Sequence, residues 1–317
     1  MPRKRNLLLA GLLLILSLIL IWPQGRLFPD DYSTIIYDRD GEMLAVFLNQ
    51  QEQWHFPPDE ALIVPDKLKI CVTEFEDRWF DWHPGINPVS VVRAIGQNIS
   101  SGKVVSGAST ITMQVARISA PKSRTFWHKF LEMFTAFRIE LRYSKDAILK
   151  QYLDHAPYGG NVVGYRAASW RYFAKRPAAL TWAEASTLAV LPNAPGLISP
   201  QSNPQLLRDK RDHLLTHLQA EGIIDETTLK LAKLEPIPDR VYDLPFNAPH
   251  LAQKLSLENP GENIIHTTIS SSLQKQAEQI ISDHARYLQK YGIHNAAALI
   301  CDTRSGQVLA YVGSQDF

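Results

Sequence analysis

The longest apolar run in the chain lies at its start. Arg3, Lys4 and Arg5 precede an uncharged stretch from Leu7 to Pro23, almost wholly Leu, Ile, Ala and Gly, with Trp22 at its far end. About 17 residues is the short limit for a bilayer-spanning helix. Ile21-Trp22-Pro23-Gln24-Gly25 offers no small-x-small cleavage site, so the stretch reads as an uncleaved anchor over 7–23 behind a short tail, 1–6. The basic cluster keeps the tail in the cytoplasm, and Trp22 suits the opposite interface. Everything after about residue 25 then lies outside the cytoplasm, on a single-pass anchor.

Beyond the anchor the periodicity changes. Thr34–Tyr37 and Met43–Phe47 are β-prone runs flanking Asp38-Arg39-Asp40-Gly41, a hairpin pattern. From Asp66 to about Leu234 the pattern is mainly helical and well punctuated. Asn87-Pro88 predicts a capped helix to about Ile99, and Ser109 one to about Ile118. Further helices are expected over Phe126–Tyr143 and, capped by Ser144, through Leu153. Thr181-x-x-Glu184 is a capping box before Ala185–Leu191, and Asn203-Pro204 opens a helix that Gly222 ends. Pro236, Pro238, Pro245, Pro249 and Pro260 then mark an irregular crossing. After it, Ser271–Tyr291 reads as a helix closed by Gly292. Ala296–Cys301 and Val308–Val312 read as strands around Asp302–Gly306. One helix and one hairpin cannot bury a core of their own, so the tail reads as the beginning of a further domain.

Composition narrows the chemistry. The 317 residues carry 33 Lys+Arg against 32 Asp+Glu, so bulk charge suggests no nucleic-acid partner. Cys71 and Cys301 are far apart and exclude both a disulfide framework and a Cys-x-x-Cys metal site. Both are expected to be small buried residues. His213-x-x-x-His217 lacks the Glu of a zinc-protease helix and reads as a solvated helix face.

Three segments carry candidate chemistry. Glu76 and Asp77 stand among Phe75, Trp79, Phe80, Trp82 and His83. An acid on an apolar surface has its charged form disfavoured, which suits general acid/base work. A helix-end acid beside a capping acid explains the same run without chemistry. In Gly107-Ala108-Ser109-Thr110-Ile111-Thr112-Met113-Gln114, small residues admit a ligand, and hydroxyls join a helix start that favours anions. A well-capped helix after a tight turn is the plainer reading. Arg117, Arg124, Lys129 and Glu132 form a basic series with one acid. Lys129 and Glu132 share a helix face as either an exposed ion pair or part of a pyrophosphate cradle.

In order and spacing these segments resemble the lysozyme-like glycosyltransferase domain of the class A, bifunctional penicillin-binding proteins (glycosyltransferase family 51). The family pattern E-D-x-x-F-x-x-H-x-G meets Glu76, Asp77, Phe80, His83 and Gly85. G-[GA]-S-T-[IL]-T-Q-Q meets Gly107, Ala108, Ser109, Thr110, Ile111, Thr112 and Gln114. R-K-x-x-E meets Lys129 and Glu132, and I-L-E-x-Y-L-N meets Ile148, Leu149, Tyr152 and Leu153. Tyr158-Gly159, Gly164 and Tyr172-Phe173-Ala174-Lys175 resemble the family's later stretch. Met113, His128, Lys150 and Asp154 depart from the pattern. Thr112-Met113-Gln114 followed by Val115-Ala116-Arg117 looks like the 1C subgroup.

The resemblance implies a mainly α, lysozyme-like domain over 29–225, with the anchor, a small N-terminal hairpin and a linker over 226–262. An incomplete α+β segment over 263–317 resembles the start of a transpeptidase domain. No Lys-[Thr/Ser]-Gly exists in the chain, so acylation by a β-lactam is not expected. It implies Glu76 as the base that takes the 4-hydroxyl proton of an acceptor lipid II, with Glu132 orienting. Arg117, Arg124 and Lys129 would stabilise the leaving polyprenyl pyrophosphate. Asp77, Phe80, His83, Gly85, Ser109, Thr110, Thr112 and Gln114 would line the substrate. No cofactor is required; a divalent cation, Mg or Mn, on the pyrophosphate near Asp77 is the one candidate. Partners would be lipid II, the growing glycan strand, the bilayer of the bacterial inner membrane and other cell-wall synthesis proteins, with the catalytic domain in the periplasm. Two other functions stay open on the residues alone: a lytic glycan hydrolase, which needs no pyrophosphate cradle, and an inactive membrane-anchored scaffold.

Overall fold

The computed structural model describes residues 11, 25–59, 62–89, 100, 109–122, 125–193, 200 and 202–315. The expected anchor over 7–23 (Gly11 apart), most of the helix expected to Ile99, and Gly107, Ala108 and Arg124 lie outside these. Among the described residues no helix is long and apolar enough to cross a membrane.

The hairpin forms as its turn chemistry demands. Strands β1 (Thr34–Tyr37) and β2 (Met43–Phe47) pair antiparallel, Thr34 opposite Phe47. Asp38 Oδ1 accepts from the backbone N–H of Asp40 and of Glu42, both at 2.9 Å, and Gly41 takes φ +77°. Alternation sends the paired Ile35 and Val46 to one face and the paired Ile36 and Ala45 to the other.

The first face meets the helical body. After β3 (Trp54–His55) come α1 (Asp66–Glu76), α2 (Ile111–Ser119), α3 (Phe126–Glu140) and α4 (Lys145–His155). β4 (Pro157–Gly159) and β5 (Val162–Val163) join β3 in a small sheet of order β3-β5-β4. Next along the chain are α5 (Tyr165–Phe173), α6 (Trp182–Val190) and α7 (Pro204–Ala220). The helices start where side chains satisfy orphan N–H groups. Thr125, Ser144 and Asn203 each accept from a first-turn amide, and Thr181 and Glu184 form both bonds of the capping box. Leu68, Ile111, Val115, Ile139, Leu153, Leu188 and Leu215 meet in one core, each worth about 1.5–3 kcal/mol when fully buried.

Three expectations are corrected. After α8 (Glu226–Leu234), which ends the stretch expected to be helical, the proline-marked segment read as an irregular crossing carries a helix, α9 (Pro249–Glu258). Asp225 caps α8 at the Thr228 N–H, 2.6 Å, and Pro249 stands in the first turn of α9, where its missing N–H costs nothing. The prolines thus punctuate helices instead of replacing them. Next, the hairpin is not alone: β6 (Ile264–His266) adds to β1 in parallel, giving the order β2-β1-β6. The second hairpin face, Ile36 and Ala45, packs with Ala248, Ala252 and Ile269, so the chain past residue 245 rests on it. Finally, in the hairpin of β7 (Ala298–Cys301) and β8 (Val308–Val312), Cys301 is exposed. β8 packs with Ala310 and Val312 against Ala277 of α10 (Ser271–Leu288), and Ala298 of β7 joins them. Cys71 is buried as expected, and burial pushes its thiol up to about 12.

Candidate active site

Glu76 is the last residue of α1, and the segment after it is pinned to α2. Asp77 caps α1 with its backbone N–H on the Thr73 carbonyl, and a single 3-10 turn, Phe80–Trp82, brings the chain back. His83 Nε2 then meets both oxygens of Asp77, at 2.9 and 3.0 Å. The same carboxylate accepts from the Ile111 N–H at 3.1 Å, at the positive end of α2. Thr110, the N-cap of α2, donates to the Gly85 carbonyl at 2.6 Å and accepts from the Met113 N–H at 3.1 Å. Phe80 is buried under the Lys145 ammonium, 4.4 Å from its ring centre. Gly85 has φ +84°, and a Cβ there would stand 2.9 Å from Glu140 Cγ and 3.1 Å from the Ala136 carbonyl oxygen. Asp77, Phe80, His83, Gly85 and Thr110 therefore form a rigid mount for Glu76.

A second set of contacts runs outward from Glu76. Its Oε2 accepts from Gln114 Nε2 at 2.6 Å, and Gln114 Oε1 accepts from Arg117 at 3.3 Å, one turn along α2. Arg117 lies 3.7 Å from Glu132 Oε1 on α3. Glu132 Oε2 accepts from Lys129 Nζ at 3.0 Å, and that ammonium also donates to Ser109 Oγ at 2.6 Å. The two acids are thus linked through two hydrogen bonds and an ion pair: Glu76, Gln114, Arg117, Glu132. Burial raises the Glu76 carboxyl above the usual range; the Gln114 bond and the positive charges of Arg117 and Lys210 oppose that rise. Arg117 and Lys129 each keep 40% of the side chain exposed while Glu132 keeps 11%, so the cations are the accessible part.

Of the residues singled out from sequence, Gly107, Ala108 and Arg124 lie outside the described residues; Glu76, Asp77, Phe80, His83, Gly85, Ser109, Thr110, Gln114, Arg117, Lys129 and Glu132 fall in these two linked sets. Ser109 is not the cap of α2; Thr110 is, one residue on, which leaves the Ser109 hydroxyl to Lys129. Thr112 is fully buried and donates to Glu140 Oε1. Glu140 and Lys145, 2.8 Å apart, were not anticipated, and Lys145 also donates to the His83 carbonyl at 2.7 Å. The available signal was the spacing 132, 136, 140 on α3, which stacks Glu132, Ala136 and Glu140 on one face. Two departures from the family pattern answer each other: Lys150 and Asp154 pair at 2.8 Å, one turn apart on α4. Met113 is a core residue, 1% exposed.

Comparison with known proteins identifies a family. Residues 40–219, more than half of the chain, match the family described as Transglycosylase. The chain is 34% identical to penicillin-binding protein 1C of Escherichia coli (strain K12), over 93% of this chain and 38% of that protein. It is 30% identical to penicillin-binding protein 1F of Bacillus subtilis (strain 168), over 90% of this chain and 42% of that protein. The chain therefore spans about two fifths of the length of these relatives. The crystal structure of penicillin-binding protein 1A from Haemophilus influenzae aligns over 87% of this chain and 32% of that one. At 18% identity and a TM-score of 0.34 it says nothing about the fold. With the match spanning both the mount around Glu76 and the basic surface beyond it, this chain belongs to the transglycosylase family.

Proposed function

We propose that the chain is a peptidoglycan glycosyltransferase that polymerises lipid II into glycan strands during cell-wall biosynthesis. The observation that carries this is the polar chain from Glu76 to Lys129, which couples a buried, proton-hungry carboxylate to two accessible cations. Glu76 takes the proton of the sugar 4-hydroxyl of an acceptor lipid II. The freed oxygen bonds to the anomeric carbon of the growing glycan. The bond from that carbon to the pyrophosphate oxygen breaks with inversion, and polyprenyl pyrophosphate leaves carrying the electron pair. Arg117, Lys129 and Arg124 stabilise the charge that develops there, since charge-assisted bonds to phosphate are strong and are worth most where water is excluded. Glu132 holds Arg117 and Lys129 in place and does not act as the base.

A divalent cation on the pyrophosphate has no support at Asp77. Both oxygens of that carboxylate are taken by His83 and the Ile111 N–H, so it has little left to offer a metal, and no step is routed through one.

Lipid-linked substrates call for a bilayer. The basic tail and the apolar stretch 7–23 support a single-pass anchor with the catalytic domain on the periplasmic side of the inner membrane. A second support lies on α3, where Trp127, Phe130 and Phe134 line one exposed face, with Trp127 and Phe130 stacked at 5.8 Å. Holding enzyme and substrate at one surface supplies proximity without further contacts. Other cell-wall synthesis proteins belong to the same proposal as partners. Supplying labelled lipid II tests the reading: glycan strands support it, and cleavage of finished glycan without polymerisation overturns it in favour of a hydrolase.

A further inference from the structure

The turn that follows Glu76 has two sides. Phe80 and His83 are buried, their rings 6.5 Å apart, whereas Trp79 and Trp82 stand 54% and 83% exposed. The Trp82 N–H donates to the Trp79 carbonyl at 2.9 Å, and side chains three apart in a 3-10 turn eclipse. The two indoles therefore leave the turn on one side, and the two buried rings leave it on the other. Trp is highly buried on average, so two bare indoles side by side call for an explanation. At about 3.8 Å per residue, the Cα of Trp79 is within about 11 Å of that of Glu76, roughly the length of a disaccharide. Polar groups are fixed beside the rings. The Arg78 guanidinium lies 5.7 Å from the Trp79 ring centre. It is held by Glu221, at the end of α7, at 2.5 Å and by Glu74 at 3.9 Å, and Glu74 also meets His217 at 2.9 Å. Asp81, between the two indoles, is exposed.

We propose that Trp79 and Trp82 form a platform on which sugar rings of the glycan chain stack beside Glu76, with Arg78 and Asp81 binding their hydroxyls. A sugar ring has apolar C–H faces and a rim of hydroxyls. Flat indoles cover the faces, and a fixed guanidinium and a carboxylate supply a donor and an acceptor for the rim. The charges select a neutral sugar over a lipid surface. Glu74, Asp81 and Glu221 set three carboxylates against one guanidinium and one imidazole, so anionic headgroups are repelled. Sinking the indoles among acyl chains would also strip water from Arg78 and Asp81 without pairing them. The inference deepens the glycosyltransferase reading and rests on it for the identity of the sugar: a growing polymer must run on from the base, and this surface begins three residues past it.

The test reads the indoles directly. The full chain in detergent, carrying 15N at its tryptophans, is titrated with a neutral tetramer of N-acetylglucosamine and followed by NMR. The two signals are identified as those lost in Trp79→Phe and Trp82→Phe. Both should shift saturably with the sugar. Trp79→Ala and Trp82→Ala change exposed side chains and leave the fold intact, and each should weaken binding about tenfold. Phenylalanine at either position should restore most of that, since it returns a flat apolar face. Indoles that stay unmoved as the tetramer is added overturn the proposal. So do indoles that move when phosphatidylglycerol is added to the micelles and not with the tetramer, which makes the surface a lipid contact. Binding is read without turnover, so the two readings fail separately. A chain that polymerises lipid II with silent indoles keeps the transferase reading and loses this one; a chain that binds the tetramer at the indoles and builds no strands does the reverse.

Discussion

Gln114 donates its side-chain amide to Oε2 of Glu76 at 2.6 Å. Its own carbonyl is held by Arg117, which fixes which end of the amide faces the acid. The bond stabilises the ionised carboxylate against burial. Gln114→Leu removes the donor and adds apolar surface, so the Glu76 carboxyl rises further. A base works only when ionised, so the acid limb of the rate profile should move to higher pH, by about one unit. A pH series of polymerisation rates checks it; a limb that stays in place shows that Gln114 does not tune Glu76.

Gly85 has no room for a side chain. Its φ of +84° is costly for any other residue, and its Cβ would press on Glu140 and the Ala136 backbone. Gly85→Ala should destabilise the protein by about 1–3 kcal/mol. Thermal unfolding of parent and variant reads this; an unchanged midpoint would show that α3 yields freely at this contact.

Lys150 and Asp154 form a partly buried pair, their side chains 26% and 7% exposed. Lys150→Met leaves a buried carboxylate without its cation and should cost about 1–3 kcal/mol. Adding Asp154→Asn removes the charge and should restore most of that, giving a coupling of about 0.5–3 kcal/mol in a denaturant double-mutant cycle. Additive losses would mean that the two departures from the family pattern are independent.

His155 stacks on Phe28 at 3.6 Å, and its Nδ1–H donates to the Gln151 carbonyl at 3.0 Å. Its Nε2 then accepts from the Tyr32 hydroxyl at 3.4 Å, a pattern that suits the neutral ring. Burial pushes its pKa down to about 4, whereas an unfolded imidazole titrates near 6.5. With the folded value depressed, the unfolded chain binds the extra proton first. The stability from this site is therefore complete above about pH 6.5 and is lost as pH falls towards about 4. His155→Phe keeps the stack and removes the titration, so its unfolding temperature should fall less steeply than the parent's over that window. The neighbouring His55, also depressed by burial, leaves the variant a residual slope.

Local signals were legible in the sequence, and contacts between distant segments were not. Caps at Ser144, Thr181 and Asn203 could be read because each bond spans three residues. The Asp38 turn could be read for the same reason. Thr110 displaced Ser109 as the cap of α2 because Ser109 answers to Lys129, twenty residues away. The run Glu76–Gly85 was visible as unusual, yet its inner role was hidden. That Asp77 and His83 face each other and Ile111 depends on how α1 meets α2, which no spacing states. The Glu140–Lys145 pair and the pairing of Ile264–His266 with the first strand are hidden likewise, since both are decided by packing partners. The aromatic face of Trp127, Phe130 and Phe134 lies in a segment read only as helix; without knowing which side α2 and α4 cover, its exposure could not be inferred.

The most direct test of the central claim is polymerisation of labelled lipid II in detergent by the full chain and by Glu76→Gln. Glutamine keeps the shape of the side chain and cannot take up the acceptor's proton. The parent should build glycan strands, and the variant should lose about 10²–10⁴-fold in rate, the usual contribution of a positioned general base. A parent that builds no strands, or a variant that builds them at the parent's rate, contradicts the assignment of Glu76 as the base of a glycosyltransferase.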